Sequence, residues 1–143
     1  MTTQANSQEA LQLVLSLHRM VRCLRHAAPA AGLYPTQLIV LSLLAGGGPT
    51  RVGELAAQVP CSQPTATTIV SSLEALGLVR REPDPADGRA IRVTLTEQGR
   101  ETVISVVHGE AELLSERLAE LSEEEQDLVL RAGPLLRRMA EPR

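Results

Sequence analysis

Phenylalanine and tryptophan are missing from this 143-residue chain, and Tyr34 is its one aromatic residue. A core anchored on large rings is thereby excluded. The 43% of residues that are apolar must fill it as Leu, Val, Ile and Ala. Aliphatic packing at this length is marginal by itself, which favours burial against a second subunit. Lysine is missing too: all fourteen basic residues are Arg. The planar guanidinium makes bidentate contacts unavailable to an ammonium, although genome composition alone can produce the same bias. Cysteine is limited to Cys23 and Cys61, too few for a disulfide framework. The apolar runs are short and the first ten residues polar. Neither a membrane span nor a signal peptide is expected, and the expected location is cytoplasmic.

Signatures of catalysis are lacking in the same way. Gly46-Gly47-Gly48 is followed by Pro-Thr-Arg, without the Lys of a phosphate loop. No nucleophile–His–acid arrangement is legible, so neither an enzyme nor a cofactor is expected. Cys23 and His26 lie one helical turn apart, but adding His18 or His108 does not complete a compact four-ligand set. No metal site is expected, and the three His read as helix-surface or interface residues.

Net charge is −3, which excludes a uniformly basic nucleic-acid binder, but the charge is unevenly spread. Residues 1–100 carry nine Arg against seven acidic residues, whereas residues 101–143 carry five against ten. The positive excess lies in the part of the chain that carries the motifs.

The helical spacing of Leu11, Val14, Leu15, Leu17, Met20, Val21 and Leu24 predicts a helix from about Ser7 to Ala28, ended by Pro29 and Gly32. A second helix, Pro35–Leu44, would turn Leu38, Ile39, Leu41 and Leu44 inward. Thr50 can cap a short third helix through Val59, with Val52, Leu55, Ala56 and Val59 on its core face. Ser62 caps a fourth, which tolerates Pro64 in its first turn and stops at Gly77; Ala66, Ile69, Val70, Leu73 and Leu76 would be buried. Leu78–Glu82 and Ala90–Leu95 read as strands, the second alternating Ile91, Val93 and Leu95 with Arg92 and Thr94. Thr96 can cap a long helix to about Leu121, and Ser122 with Glu125 forms a capping box for a last helix to Met139, with Pro134 as a kink point. The expected fold is mainly α: a winged helix-turn-helix with a helical dimerisation region, six helices and a two-stranded β wing. Three segments are expected: an N-terminal dimerisation helix (1–30), a winged helix-turn-helix DNA-binding domain (31–100) and C-terminal dimerisation helices (101–143).

Two helices joined by a tight turn and followed by a hairpin place a recognition helix for the major groove beside a wing. On the Ser62–Leu76 helix, Thr68 and Ser71 lie opposite the apolar stripe, flanked by Thr67 and Ser72, with Gln63, Pro64 and Thr65 at the amino end. Short hydroxyls permit close approach to phosphates and base edges, Gln can read adenine, and a Thr methyl can touch the thymine methyl. Such a face can also be merely solvated; the hairpin that follows it favours the DNA reading. At the hairpin tip Arg89 can enter a narrow minor groove. Asp87 can hydrogen-bond either that Arg or the loop backbone, and Gly88 supplies backbone freedom. Arg80, Arg81 and Arg92 can reach phosphates. The DNA-contacting set is thus Ser62, Gln63, Pro64, Thr65, Thr67, Thr68, Ser71, Arg80, Arg81, Asp87, Gly88, Arg89 and Arg92. Two other classes stay open: a winged fold used as a protein-interaction module, and a sensor without sequence-specific DNA binding.

The stretch "ELAAQVPCSQPTATTIVSSLEALGLVRREPDPADGRAIRVTLTEQG", Glu54–Gly99, resembles the DNA-binding core of the MarR family of bacterial regulators. Asp84-Pro85, Asp87-Gly88-Arg89 and Leu95-Thr96-Glu97 with Gly99 carry the resemblance, as do Ser62–Pro64 and Leu73-Glu74 with Gly77-Leu78-Val79. Tyr34 departs from it, standing where members often have a capping Thr or Ser. The resemblance implies a homodimer interleaved through the first and last two helices. It also implies a transcription regulator, usually a repressor, that binds double-stranded DNA and responds to a small-molecule effector, a metal or oxidation. It further implies a pocket between the dimer helices and the DNA-binding lobe, which the near absence of aromatics would leave aliphatic and polar. The apolar character of Leu11–Leu24 and Val103–Met139 independently favours burial in a dimer, which would ask for a near-palindromic operator. Cys61 lies beside the recognition helix, where oxidation could disrupt docking, but a small buried residue is the plainer reading; Cys23 lacks the Tyr neighbours of a redox sensor.

Overall fold

The computed structural model describes residues 6–27 and 32–141. They form α1 (Ser7–Ala27), α2 (Pro35–Gly47), β1 (Thr50–Arg51), α3 (Val52–Gln58), α4 (Gln63–Ala75), β2 (Val79–Asp84), β3 (Asp87–Leu95), α5 (Glu97–Ala119) and α6 (Glu123–Ala140). The mainly helical winged architecture expected from the sequence is present, with one strand more than expected. Thr50 does not cap α3; with Arg51 it forms β1, antiparallel to β3 through Thr50↔Val93 and Arg51↔Arg92. The sheet order is β1-β3-β2. Ala28 and Pro29, expected at the end of the first helix, lie outside the described residues.

The chain divides into two compact units, Ala28–His108 and Met1–Ala27 with Gly109–Arg143. In the first, Leu41 of α2, Leu55 of α3, Val70 and Leu73 of α4 and Val93 of β3 are fully enclosed. The α2 face is rotated from the expected one: Gln37, Val40, Leu41 and Leu44 are buried, and Leu38 and Ile39 only half-buried. A buried amide is tolerated because its partners are present. Gln37 Oε1 accepts from the Tyr34 backbone N–H at 2.7 Å, and Nε2 donates to Ser72 Oγ at 3.0 Å. The first of these bonds starts α2 without a capping hydroxyl at Tyr34. Leu76, expected inward, is 51% exposed. The helix has ended at Ala75 and Gly77 turns the chain at φ +75°, a conformation that favours glycine.

A close approach locks the wing to the start of α5. Thr96 caps that helix by accepting from the Gly99 N–H at 3.0 Å, while its own hydroxyl donates to Gly77 O at 2.6 Å. A Cβ at Gly99 would stand 2.0 Å from the Leu78 carbonyl oxygen, so only glycine fits without movement. In the other unit, Ser122 and Glu125 close the expected capping box at 3.1 and 3.2 Å, and α6 runs through Pro134 to Ala140. None of the described residues of this unit is buried.

Gly99→Ala is expected to lower unfolding stability by ~1–3 kcal/mol through overpacking, read as a lower urea midpoint with unchanged m-value. Parental stability would show that α5 shifts off Leu78 without cost.

Candidate nucleic-acid interface

Residues of α4 occupy both of its faces as the helical period requires. Ala66, Val70 and Leu73 are buried; Gln63, Pro64, Thr65, Thr67, Thr68 and Ser71 are exposed, and so is the cap, Ser62. Ser62 Oγ accepts from the Thr65 N–H at 3.2 Å and lies 2.8 Å from Thr65 Oγ1. Pro64 sits in the first turn, where its missing N–H leaves no orphan donor. Further along, Thr67 Oγ1 donates to Gln63 O at 2.9 Å and Thr68 Oγ1 to Pro64 O at 3.1 Å.

The wing is longer and tighter-ended than the sequence suggests. Its strands reach Asp84 and resume at Asp87, replacing the expected seven-residue tip with a Pro85-Ala86 turn. Asp84 Oδ1 accepts from the Ala86 N–H at 2.9 Å, and Asp87 Oδ1 from the Arg89 N–H at 3.1 Å. Asp87 therefore holds loop backbone rather than the Arg89 guanidinium. Gly88 is exposed, with open space where a Cβ would be.

The wing arginines are not equivalent. Arg92 faces Glu82 across the ladder, with Nε and Nη2 both 2.7 Å from Glu82 Oε1. Arg81 reaches α4: Nη2 donates to Ser71 Oγ at 2.7 Å, and Nε lies 4.0 Å from Glu74 Oε2. Arg80 is exposed and 3.7 Å from Glu82 Oε2, a separation of little energetic weight at a surface. Arg89 is exposed and makes no side-chain hydrogen bond or ion pair among the described residues.

One pair was not visible in the sequence. Arg51 Nε donates to Asp84 Oδ2 at 2.8 Å, and the Asp84 side chain keeps only 15% of its exposure. Both carboxylate oxygens are thus engaged, one by β1 and one by the wing turn. The Ala86 N–H, then Arg51, hold the Asp84 carboxyl below the usual aspartate range, and the hydrogen bond to Asp84 in turn raises Arg51. The signal was weak: two residues of strand show no alternation, and Asp84-Pro85 reads as a turn. Between α3, the start of α4 and the wing lies an open groove of about 650 Å³, lined by Arg51, Glu54, Gln63, Thr67, Arg81 and Ile91 among others.

Cys23 and Cys61 are free thiols, both half-buried. Among the described residues, no group of three or more His, Cys, Asp or Glu is placed to hold a metal ion, and no helix is long and apolar enough to cross a membrane.

Comparison with known proteins finds relatives of this chain among transcriptional regulators. The MarR family model matches residues 31–90. The helix-turn-helix transcriptional regulator Mb0904 of Mycobacterium bovis is 34% identical over 132 residues, 92% of either chain. The chain belongs to the MarR family. Its fold is that of the transcriptional regulator Tm0710 from Thermotoga maritima, with a TM-score of 0.76 and 27% identity over 95% of this chain and 100% of that one. BpsR of Bordetella bronchiseptica, whose DNA binding is regulated by 6-hydroxynicotinic acid, aligns with a TM-score of 0.62 and 26% identity over 94% of this chain and all of its own. This MarR chain is a DNA-binding transcriptional regulator with a winged helix, and its relatives are regulators rather than enzymes.

Because the folded-state pKa of Asp84 is depressed, its contribution to holding the wing is present above the ordinary aspartate value of about 3.9 and is lost as pH falls through the lower, folded one. A carboxyl titration followed by NMR is expected to place Asp84 below that ordinary value. Arg51→Ala should raise the midpoint part-way, since the Ala86 N–H remains. A midpoint that stays put would place Asp84 outside the ion pair.

Proposed function

We propose that this regulator works as a homodimer that occupies a near-palindromic operator and represses the adjacent promoter, with release by a small ligand or an oxidant. Arg89 carries the reading of the interface. It is an exposed guanidinium on a wing braced by Asp84, Asp87 and the Glu82–Arg92 pair, and it alone among the wing arginines has no acceptor among the described residues. In a narrow minor groove it would meet enhanced negative potential. Beside it, Ser62, Gln63, Pro64, Thr65, Thr67, Thr68 and Ser71 present α4 to the major groove, the positive end of its dipole toward phosphate. Arg80 and Arg81 supply backbone contacts; Arg92 adds charge and holds the wing's shape through Glu82, and Gly88 leaves open space for the DNA backbone to approach.

Support for the dimer comes from the unit in which none of the described residues is buried. Leu11 on α1 is 55% exposed, and Leu128 and Met139 on α6 are 68% and 76% exposed. Apolar burial contributes ~25 cal/mol per Å², so helices left this bare favour a partner of the same kind. A two-fold dimer presents two copies of α4 about one turn of DNA apart, which mirrors into a palindromic site. Repression needs no more than occupancy of the promoter. Ligand release follows the behaviour named for BpsR, extended here to an effector bound in an aliphatic and polar pocket of the dimer.

Duplexes selected from a genomic library by the purified protein should share an inverted repeat, and adding candidate effectors should reduce their recovery. Arg89→Ala is expected to weaken operator binding at moderate salt by tenfold or more, or ~1–3 kcal/mol, while sedimentation still gives twice the 15.4 kDa chain. Unchanged affinity would remove the wing contact. Sequence-indifferent binding would leave a winged fold serving protein interaction instead.

A further inference from the structure

We propose that α4 reads its half-site mainly through thymine methyl groups, contacted by the methyls of Thr67 and Thr68 and the ring of Pro64, with the Gln63 amide supplying a directional contact, to adenine. This rests on the reading of α4 as the major-groove helix and assigns the chemistry of what it recognises there.

Most polar groups on the outer face already have a partner. Thr67 has given its hydroxyl hydrogen to Gln63 O and Thr68 to Pro64 O. Ser62 and Thr65 face each other at 2.8 Å. Ser71 Oγ is taken by Arg81. Redirecting the Thr67 or Thr68 hydroxyl hydrogen to a base exchanges one hydrogen bond for another and gains little, whereas Ser71 and one of the Ser62–Thr65 pair keep a hydroxyl hydrogen but carry it beside Arg81 or at the helix start. The γ-methyl of each Thr needs no such exchange. Pro64, a helical turn before Thr67 and Thr68, adds a second kind of apolar surface on the same side. Gln63 is the least committed, since its side-chain amide has no hydrogen-bond partner among the described residues and keeps both donor and acceptor.

Charge points the same way. Gln63–Ala75 contains no Arg and no Lys, so α4 cannot make the bidentate guanidinium contact to guanine that is the commonest specific one. The nearest cation on the wing, Arg81, is held by Ser71 and Glu74. Thymine is the base that offers a methyl in the major groove, and adenine the one that pairs bidentately with Gln. The segment of each half-site beneath α4 is therefore rich in A·T pairs and read by apolar contact.

The test removes the methyl from the DNA without touching its hydrogen-bonding groups. In the tightest duplex the full chain selects, each thymine of one half-site is replaced in turn by deoxyuridine, and affinity is measured by fluorescence anisotropy. One or more positions are expected to weaken by about threefold to fivefold, the loss appropriate to one buried methyl. Thr67→Ser and Thr68→Ser delete the protein methyl and keep the hydroxyl; the dU/dT ratio at the position each reads should fall toward one. Thr67→Val and Thr68→Val keep the methyl and delete the hydroxyl; they should retain the ratio. The proposal is overturned if no uracil position loses affinity, if the ratio survives both Ser variants, if the Val variants abolish it, or if the selected site holds no thymine beneath α4. A duplex that is selected and depends on Arg89 but ignores uracil sinks methyl reading alone. Failure to select any duplex sinks this and the operator reading together.

Discussion

Everything in the Ala28–His108 unit depends on one packing constraint: a small aliphatic core must hold α4 by a single face. Val70 and Leu73 are fully enclosed against Leu41, Leu55 and Val93, and the one aromatic ring, Tyr34, is 72% exposed outside the contact. Branched side chains at native density leave few alternative arrangements. The outer face of α4 is therefore placed by what lies behind it. The wing is placed by the same core, because Val93 and Leu95 of β3 and Val79 of β2 belong to it. Gly99 then fastens the far side, where the Leu78 carbonyl leaves no room for a side chain.

Beyond the core, the wing depends on one carboxylate. Asp84 holds Arg51 with one oxygen and the Ala86 N–H with the other, so the two-residue β1 and the wing turn are joined through a single group. This makes a short strand more than an accident of geometry: it delivers the guanidinium that orients the turn. Glu82 with Arg92 braces the middle of the hairpin, and Arg81 with Ser71 ties its base to α4. Polar links thus run from β1 to the wing and from the wing to α4, outside the apolar core.

The legible parts of the sequence were those with a local cause. Ser62, Pro64 and Gly77 bound α4 by capping, first-turn tolerance and left-handed geometry, and Ser122 with Glu125 does the same for the start of α6. Alternation of Ile91, Val93 and Leu95 marks β3, although Ile91 stands 47% exposed near the wing tip and Thr94, expected outward, is buried between Val93 and Leu95. What escaped depends on distance along the chain or on rotamers. Arg51 and Asp84 are 33 residues apart, and nothing in either neighbourhood announces the other. Gln37 is buried because Tyr34 and Ser72 meet it, which a hydropathy pattern does not contain. Pro83 and Pro85 read as loop, yet the ladder accommodates Pro83 beside a bulge. Composition announced hydroxyls on α4; that four of the five are bonded internally or to Arg81, and the fifth paired with its cap, required coordinates.

The exposed guanidinium on the wing carries a consequence for control. Arginine keeps its charge throughout the physiological pH range, and a chain without lysine offers no side-chain amine for acetylation to neutralise. The cell has no simple chemical means of discharging this surface by those routes. With Arg89 in the proposed minor-groove role, a lever that tilts the wing would alter its contact with DNA where one that titrates the guanidinium would not.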